Sequence, residues 1–561
     1  MTVQATDTGK TAGVKHGTKL VRALGWPDAF WIATGVPALL VFSVGYIAVL
    51  AGPVSAVIWI VSVLIGLAMA FVYAEMAGMF PEKSGGPPVF GSQAWSRYVN
   101  IIAPVNMWGY WFAWSPVISI GGLLMGGYIQ AQWFPSQTWG LSWGPFHITF
   151  AFVVGAAIIL ALLWLNNFGI KQSAVMQLVL AVASLIPLAL LIVVPLVKGQ
   201  VNLSNLQPFV TPNGHWLSWD TFTIVAAGLF VAGWSAYAFE TAVVYTAEFR
   251  KPQVDTPRAI FSAGLLCLFF YGLGPFVLLG VVGATAIQAD PSTALVPLAK
   301  AVFGVAGQLL IALLLLALLL SINTAILGSS RTLYQGGKDG WTLRFMRFTS
   351  RKGVPLRAMQ WDIVINLFLM TLGSPIYILA ASTVGYFSFN VLNLVAGYLL
   401  RRDAPDTMRP YRAPQALIRF GLFLAAVNLV LLFVGAPSWG WGAAGLGWAI
   451  VLAGVAATYI DAWVEGRGAV GRRLSTAAPK TADGGNVGTV AETEVEVDPL
   501  GPWRQWADLR PMILYLIVTG GVFTLAVWRG FGWAYVLGLA LTVLWLVGFM
   551  VPRRKARWFA W

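Results

Sequence analysis

The chain has 561 residues, of which 58% are hydrophobic and only 10% charged. A soluble domain carries roughly 25% charged residues, so an ordinary water-soluble fold is excluded and the chain reads as an integral membrane protein. The net charge of +14 would suit a nucleic-acid partner, but the placement of the basic residues assigns it to membrane topology instead.

The first 25 residues are polar, with no short apolar run and cleavage site, and read as a cytoplasmic tail rather than a removable signal. Fourteen apolar runs follow, each long enough to cross a bilayer of about 30 Å. They cover 28–51, 54–79, 98–130, 148–165, 175–197, 220–248, 259–287, 301–327, 358–373, 375–400, 415–436, 440–463, 511–528 and 531–550. With the N-terminus in the cytoplasm and strict alternation, only Lys198, Lys300 and Arg529 of the 35 basic residues fall outside. That asymmetry is the positive-inside pattern. It accounts for the basic balance without nucleic acid and predicts a multi-pass plasma-membrane protein with both termini cytoplasmic. Residues 464–510, rich in Ala, Gly and Thr and ending in the acids Glu492, Glu494, Glu496 and Asp498, read as a flexible cytoplasmic linker. Residues 511–551 then form an appended helical hairpin, and 552–561 a basic cytoplasmic end.

Two runs carry interruptions. The first contains Thr34-Gly35-Val36-Pro37 near its middle, and the sixth contains Gly228 and Gly233 before Trp234-Ser235. Pro lacks an N–H and Gly tolerates unusual dihedrals, so both sequences weaken a helix. The two runs are five apart, which places the breaks at matching positions in two halves, 26–200 (helices 1–5) and 201–402 (helices 6–10). Helices 11–12 follow in 403–463. Five is odd, so the second half would be inverted in the membrane. The expected fold is therefore all-α, a 5+5 inverted-repeat (LeuT-like) transporter with helices 1 and 6 broken and about 14 transmembrane helices. Unwound backbone at membrane depth would offer N–H and C=O groups to a solute.

Polar residues inside the runs supply the candidate site. Glu240 stands out as the one acid well inside a run, where an ionised carboxylate costs several kcal/mol unless paired or hydrated. It reads as a proton carrier, cation contact or gate residue, or else a structural carboxylate. Glu75 and Glu248 lie at cytoplasmic ends and read as interfacial. Trp234 follows the second break and suits a cover over a bound solute. Asn106, Tyr110, Trp114, Ser115 and Ser119 recur at helical spacing in the third run. Ser321, Asn323 and Thr324 cluster in the eighth, as do Ser382, Thr383, Tyr386, Asn390 and Asn393 in the tenth. Such groups line a cavity or bond helix to helix. The expected solute contacts are Thr34, Gly35, Val36, Pro37, Ala38, Tyr110, Trp114, Gly233, Trp234, Ser235, Asn323, Thr383 and Tyr386. Enzyme chemistry has little support. Cys267 is the single cysteine, and His16, His147 and His215 are scattered. No P-loop, CxxC or metalloprotease motif occurs, so no cofactor is expected and transport energy would come from gradients. The partners expected are a small-molecule substrate and the lipid bilayer, with the oligomeric state open. A solute sensor that signals through 464–510 remains the alternative.

Four motifs carry a family resemblance. Tyr73-Ala74-Glu75, Phe80-Pro81 and Ser84-Gly85-Gly86-Pro87 follow the second run, with Ala51-Gly52-Pro53 before it. Glu248, Lys251-Pro252 and Pro257-Arg258-Ala259-Ile260 follow the sixth. Ser330-Arg331, Leu333-Tyr334 and Asp339-Gly340 follow the eighth, and Arg401-Arg402 with Arg409-Pro410-Tyr411-Arg412 follow the tenth. Together, over about residues 25–415, they resemble the amino acid–polyamine–organocation superfamily. The resemblance implies uptake or exchange of amino acids or related amines by alternating access. Trp234-Ser235 and Phe239-Glu240 resemble a segment of arginine/agmatine antiporters, which implies Trp234 as an aromatic gate and Glu240 as the acid of proton coupling or exchange. Ser329 and Ser330 match a possible sodium site between helices 1 and 8. No Lys falls inside the fifth run, where some proton-coupled relatives carry one. Where the family usually has Gly-Ser-Gly then Ile-Phe in helix 1, this chain has Val36-Pro37-Ala38-Leu39-Leu40. Ala247 and Ala238 also depart from the common pattern. The loss of a Gly-rich cradle for an α-carboxylate gives weight to a polyamine or other amine lacking that group.

Overall fold

The computed structural model describes residues 20–464, apart from 21, 144, 169, 290 and 351. Most of the expected tail, the linker past residue 464, the hairpin at 511–551 and the basic end at 552–561 lie outside the described residues.

The first expected span is three helical pieces, α1 (Trp26–Ala33), α2 (Gly35–Ala38) and α3 (Leu40–Ala51). Then come α4 (Ser55–Met79), α5 (Pro87–Trp95), α6 (Ile102–Trp114) and α7 (Val117–Trp133). A two-stranded hairpin, β1 (Gly140–Trp143) and β2 (Phe146–Thr149), is antiparallel with Ser142 opposite His147. Next are α8 (Phe150–Asn166), α9 (Ile170–Val197) and α10 (Trp219–Ala236), followed by a 3-10 segment over Ala238–Glu248. The bundle continues with α11 (Pro252–Val282), the short α12 (Ala284–Gln288) and α13 (Leu295–Phe303), and α14 (Gly307–Asp339). It ends with α15 (Leu356–Met370), α16 (Pro375–Asp403), α17 (Gln415–Val430) and α18 (Trp441–Val464).

Local sequence sets several of these boundaries. The side chains of Thr149, Ser218 and Ser374 accept from the amides of Phe152, Thr221 and Tyr377, capping α8, α10 and α16. Gly340 ends α14 in the left-handed region at φ 76°, where a side chain would be strained. The long helices are mostly apolar, and most polar residues of α14 and α16 are buried in the protein.

Among the described residues, nine helical stretches are long and apolar enough to cross a membrane. This is fewer than the twelve spans expected there, for physical reasons. Trp26–Met79 runs through the first two expected spans as one stretch. Phe150–Asn166 is shorter than a full crossing, and Leu356–Met370 has only 15 residues. The chain is thus a multi-pass membrane protein, all-helical among the described residues apart from the β1–β2 hairpin. Two helices also outrun their expected limits. α14 extends to Asp339, so the motif around Ser330–Tyr334 is helix rather than loop. α9 starts at Ile170, which puts Lys171 in its first turn.

The first helix breaks where expected, but not into extended chain. Thr34 and Leu39 stay in the right-handed region, at φ −68° and −62°. Their amides reach back only three residues, to Trp31 at 3.3 Å and Val36 at 2.9 Å. The result is two tight turns with Pro37, which has no N–H, between them. The sixth helix breaks later than expected. Gly228 and Gly233 are regular α10 residues, and the winding changes at Tyr237. Gly233 serves packing instead: a Cβ there would meet Phe387 Cζ at 2.7 Å and Tyr237 Cζ at 2.9 Å. A third interruption, at Ser115-Pro116 between α6 and α7, was not expected.

Candidate functional site

The two broken helices pack on each other at their interruptions. Ser43 of α3 and Ser235 of α10 share a hydrogen bond of 3.2 Å, and the Phe42 and Trp234 rings lie 6.2 Å apart. The Trp234 indole donates to the Ala113 carbonyl at 3.0 Å, tying α10 to α6. α2 approaches α14 so closely that a Cβ on Gly35 would fall 2.1 Å from Thr324 Oγ1. Ser321 donates to the Gly35 carbonyl at 2.9 Å, the Tyr271 hydroxyl donates to the Val36 carbonyl, and Thr34 Oγ1 donates to Trp31 at 2.5 Å. The carbonyls of the first break are therefore engaged by neighbouring helices. Pro37 and Ala38 are buried beside them.

One turn past the second break the situation is reversed. Glu240, on the 3-10 segment, is 1% exposed. Its Oε1 accepts from the Trp114 indole at 3.1 Å. Its Oε2 has no partner at hydrogen-bond distance among the described residues. The hydroxyls of Tyr110 and Tyr386 approach the same carboxylate but fall short of a hydrogen bond, and each is otherwise unpartnered. Tyr237, Thr241 and Tyr245 on the same segment also carry buried hydroxyls without a partner. The Tyr237 and Tyr386 rings lie 6.3 Å apart, and the Tyr110 and Tyr386 rings both meet Phe389 edge-on, at 4.6 and 4.9 Å. Each buried polar atom left unbonded costs about 1–3 kcal/mol. Those of Tyr110, Thr241 and Tyr386 beside Glu240 mark an aromatic-walled position where a polar solute or water would be held.

The other expected site residues lie elsewhere. Asn323 is bound between α8 and α9: it accepts from Asn166 at 2.5 Å and donates to Gln177 at 2.8 Å. Thr383 returns its hydroxyl to the Leu379 carbonyl at 2.7 Å. Ser330 does the same to Ile326 at 2.7 Å. Ser329 bonds the Ala325 carbonyl at 2.6 Å and the Asp362 carboxylate of α15. The α14 side chains that reach the first break are Ser321 and Thr324, so the structure does not support a sodium site built from Ser329 and Ser330 against helix 1. Among the described residues no cluster of three His, Cys, Asp or Glu is arranged to hold a metal.

Glu240 is also not the one acid deep in the bundle. Asp362 is fully buried in α15. It lies within the expected span 358–373, four residues from its start, and was not among the expected site residues. Tyr237 and Thr241 sit at i−3 and i+1 from Glu240, so local spacing carried a signal for them.

The motif charges form a second assembly, at the basic end of the bundle. Arg331 pairs with Glu248 through Nε and, at 3.1 Å, Nη2, with both side chains no more than 1% exposed. It also donates to Leu327 at 2.7 Å and lies 5.1 Å over the Tyr245 ring. Glu75 takes Arg401 at 2.5 Å on both oxygens, Arg409 at 3.0 Å and the Ala413 amide at 2.8 Å. Lys83 grips both Asp339 oxygens at 2.7 Å. Glu75 and Glu248 are thus buried ion-pair partners rather than interfacial acids, because each motif supplies the counter-charge of another. Burial lowers the Arg409 guanidinium from its ordinary value, and the Glu75 charge opposes that.

Residues 24–456 match the family model described as amino acid permease. The chain belongs to the amino acid permease family. Members of this family are membrane transporters, not enzymes. The chain is 24% identical to a serine/threonine exchanger of Bacillus subtilis (strain 168) over 363 residues, 64% of this chain and 77% of that one. It is 25% identical to an arginine/ornithine antiporter of Pseudomonas aeruginosa over 318 residues, 56% of this chain and 62% of that protein. It is likewise 25% identical to a lysine-specific permease of Lactococcus lactis subsp. cremoris over 401 residues, 66% and 75% of the two chains. The matched residues of the permease family take in both broken helices, the unpartnered hydroxyls and the interlocked charges.

Proposed function

We propose that this permease is a secondary active transporter that carries amino acids or related organic amines by alternating access, driven by protons or by exchange. The observation that carries the reading is the unpaired Glu240 Oε2 among the hydroxyls of Tyr110, Tyr237, Thr241 and Tyr386. A protonated amine supplies the donors and the charge that this carboxylate lacks, and the surrounding rings favour a cation. Trp234 and Trp114 cover the place from α10 and α6. The interruptions at Thr34–Leu39 and at Tyr237 support a 5+5 inverted-repeat fold, in which rocking about these points exposes the site to either side in turn. In this reading the basic end faces the cytoplasm of the plasma membrane and is closed by the motif ion pairs.

A second reading, transport of an amine without an α-carboxylate, is supported by the first break. Pro37 offers no N–H, and the Leu39 and Phe42 amides are already bonded to Val36 and Leu39. Few donors remain there for a carboxylate.

Counterflow in proteoliposomes tests both readings. Labelled amino acids, polyamines and simple amines are offered against each unlabelled compound. Trans-stimulated uptake is expected for at least one amine-bearing class, and its absence for all of them would sink the transporter reading. The same assay across pH tests the acid. Glu240→Gln should flatten the pH profile, because the amide mimics the protonated carboxyl permanently. An unchanged profile removes Glu240 from coupling.

A further inference from the structure

The Asp362 carboxylate lies where α15 crosses the break between α6 and α7. Its Oδ1 accepts from the Trp111 indole at 3.0 Å and the Ser115 hydroxyl at 2.5 Å, with Asn366 Nδ2 at 3.3 Å. Asn366, one turn along α15, donates to Ser115 at 2.7 Å and accepts from the Ser119 amide that the break releases, at 3.1 Å. Oδ2 meets one group, the hydroxyl of Ser329 on α14.

That last contact constrains the proton count. A serine hydroxyl has one hydrogen to donate. Ser329 lies within bonding distance of two acceptors, the Ala325 carbonyl at 2.6 Å and Asp362 Oδ2. The Ala325 carbonyl keeps the Ser329 amide within α14 in either case, but with the carboxylate ionised the single hydroxyl hydrogen goes to Oδ2 and no hydrogen lies between Ser329 Oγ and the carbonyl 2.6 Å away. With a proton on Oδ2 both contacts are hydrogen bonds: the carboxyl O–H donates to Ser329 Oγ, and the Ser329 O–H donates to Ala325. The second observation is the absence of a counter-charge among the described residues. Every partner of Asp362 is neutral. The charged groups on the elements around it are Arg331, Lys338 and Asp339 of α14, Arg344 and Arg347 of the turn after it, and Arg357 of α15 itself. Arg331 is paired with Glu248 and Asp339 with Lys83, and none of the six bonds Asp362. The tyrosines of α6, α7 and α14 are Tyr110, Tyr128 and Tyr334, and none of them bonds it either. α8 brings none. An ionised, uncompensated carboxylate at this depth is costly.

We infer that Asp362 is a proton-binding site, occupied in this conformation and distinct from Glu240. Its neighbours tie it to the transport site. Trp114 and Ser115 are consecutive in the chain, and one donates to Glu240 while the other donates to Asp362. Ser329 Oγ takes the carboxyl O–H in this conformation, so a displacement of α14 from α15 frees that proton to exchange with water. No other reactant is needed, since the proton passes between Oδ2 and water.

Infrared spectroscopy of the full chain in lipid tests the site without reference to any substrate. At a pH where exposed carboxyls are ionised, the carbonyl stretch of a protonated carboxyl should be present, be lost in Asp362→Asn and persist in Glu240→Gln. Ser329→Ala, which keeps the acid but removes its acceptor, should move the same band to higher frequency. This second variant keeps the test decisive where Asp362→Asn fails to fold. A band untouched by both variants overturns the inference. So does a band lost only in Glu240→Gln, which would leave the coupling role of Glu240 standing by itself.

Discussion

The middle and the basic end of this bundle treat buried polar atoms in opposite ways. At the basic end, Glu75, Glu248 and Asp339 have each oxygen met by a guanidinium, ammonium or amide. In the middle, Glu240 Oε2 and the hydroxyls of Tyr110, Tyr237, Thr241 and Tyr386 have no partner among the described residues. The first region satisfies its polar groups within the fold and the second leaves them open to a partner from outside. The clamp and the proposed binding site are told apart by bonding, and mutations should separate them along the same line.

The largest expected effect is on the clamp. Arg331→Ala leaves Glu248 buried and uncompensated, which costs about 3–5 kcal/mol. Thermal unfolding of the protein in detergent should fall by many degrees, and an unmoved midpoint would deny the pair its structural role. Next in size is Gly35→Val. The added side chain would enter the 2.1 Å approach to Thr324, and uptake should be nearly abolished even where the protein reaches the membrane. Wild-type uptake would show that α2 and α14 part freely. The middle responds differently. Tyr386→Phe and Tyr110→Phe remove hydroxyls that bond nothing in the fold, so the melting midpoint should hold or rise slightly. Substrate affinity should drop about 5- to 10-fold, the effect of one lost hydrogen bond of about 1–1.5 kcal/mol. A fall in stability with unchanged affinity would reverse the comparison. The smallest effect belongs to Arg22→Ala. Its pair with Glu82 has side chains 42% and 80% exposed, and such a bridge contributes under about 1 kcal/mol. A large change in folding or uptake would show that the clamp extends further than its buried members.

Much of the scaffold could be read without coordinates, because apolar length and Lys/Arg placement are one-dimensional signals. The break at Thr34–Pro37 was visible because Pro acts on its own neighbours. The break after α10 was misplaced because Gly233 admits the rings of Tyr237 and Phe387, and only the fold reveals which use a glycine has. The gathering of Tyr110, Trp114, Tyr386 and Glu240 from three distant stretches followed from helical spacing and one intramembrane charge. Asn323 and Thr383 carried the same kind of signal yet serve α8, α9 and the α16 backbone. Polarity alone does not say which way a side chain faces. Asp362 escaped because α15 is short, so an acid near its start looked close to water. The ion pairs escaped because each motif shows one charge and hides its partner up to 334 positions away.

The stretch before α1 is laced to the end of the 3-10 segment. The amides of Ala23 and Leu24 both donate to the Glu248 carbonyl, at 3.1 and 3.0 Å, and Arg250 returns a bond to Leu24 at 2.8 Å. Since Glu248 is itself held by Arg331, the roots of both interrupted helices are yoked to α14 at one rim of the protein. Under the proposed alternating access, neither would swing there without dragging the other, so opening toward that rim would be a joint movement that first unfastens this small backbone stitch, and opening toward the far rim would leave it untouched.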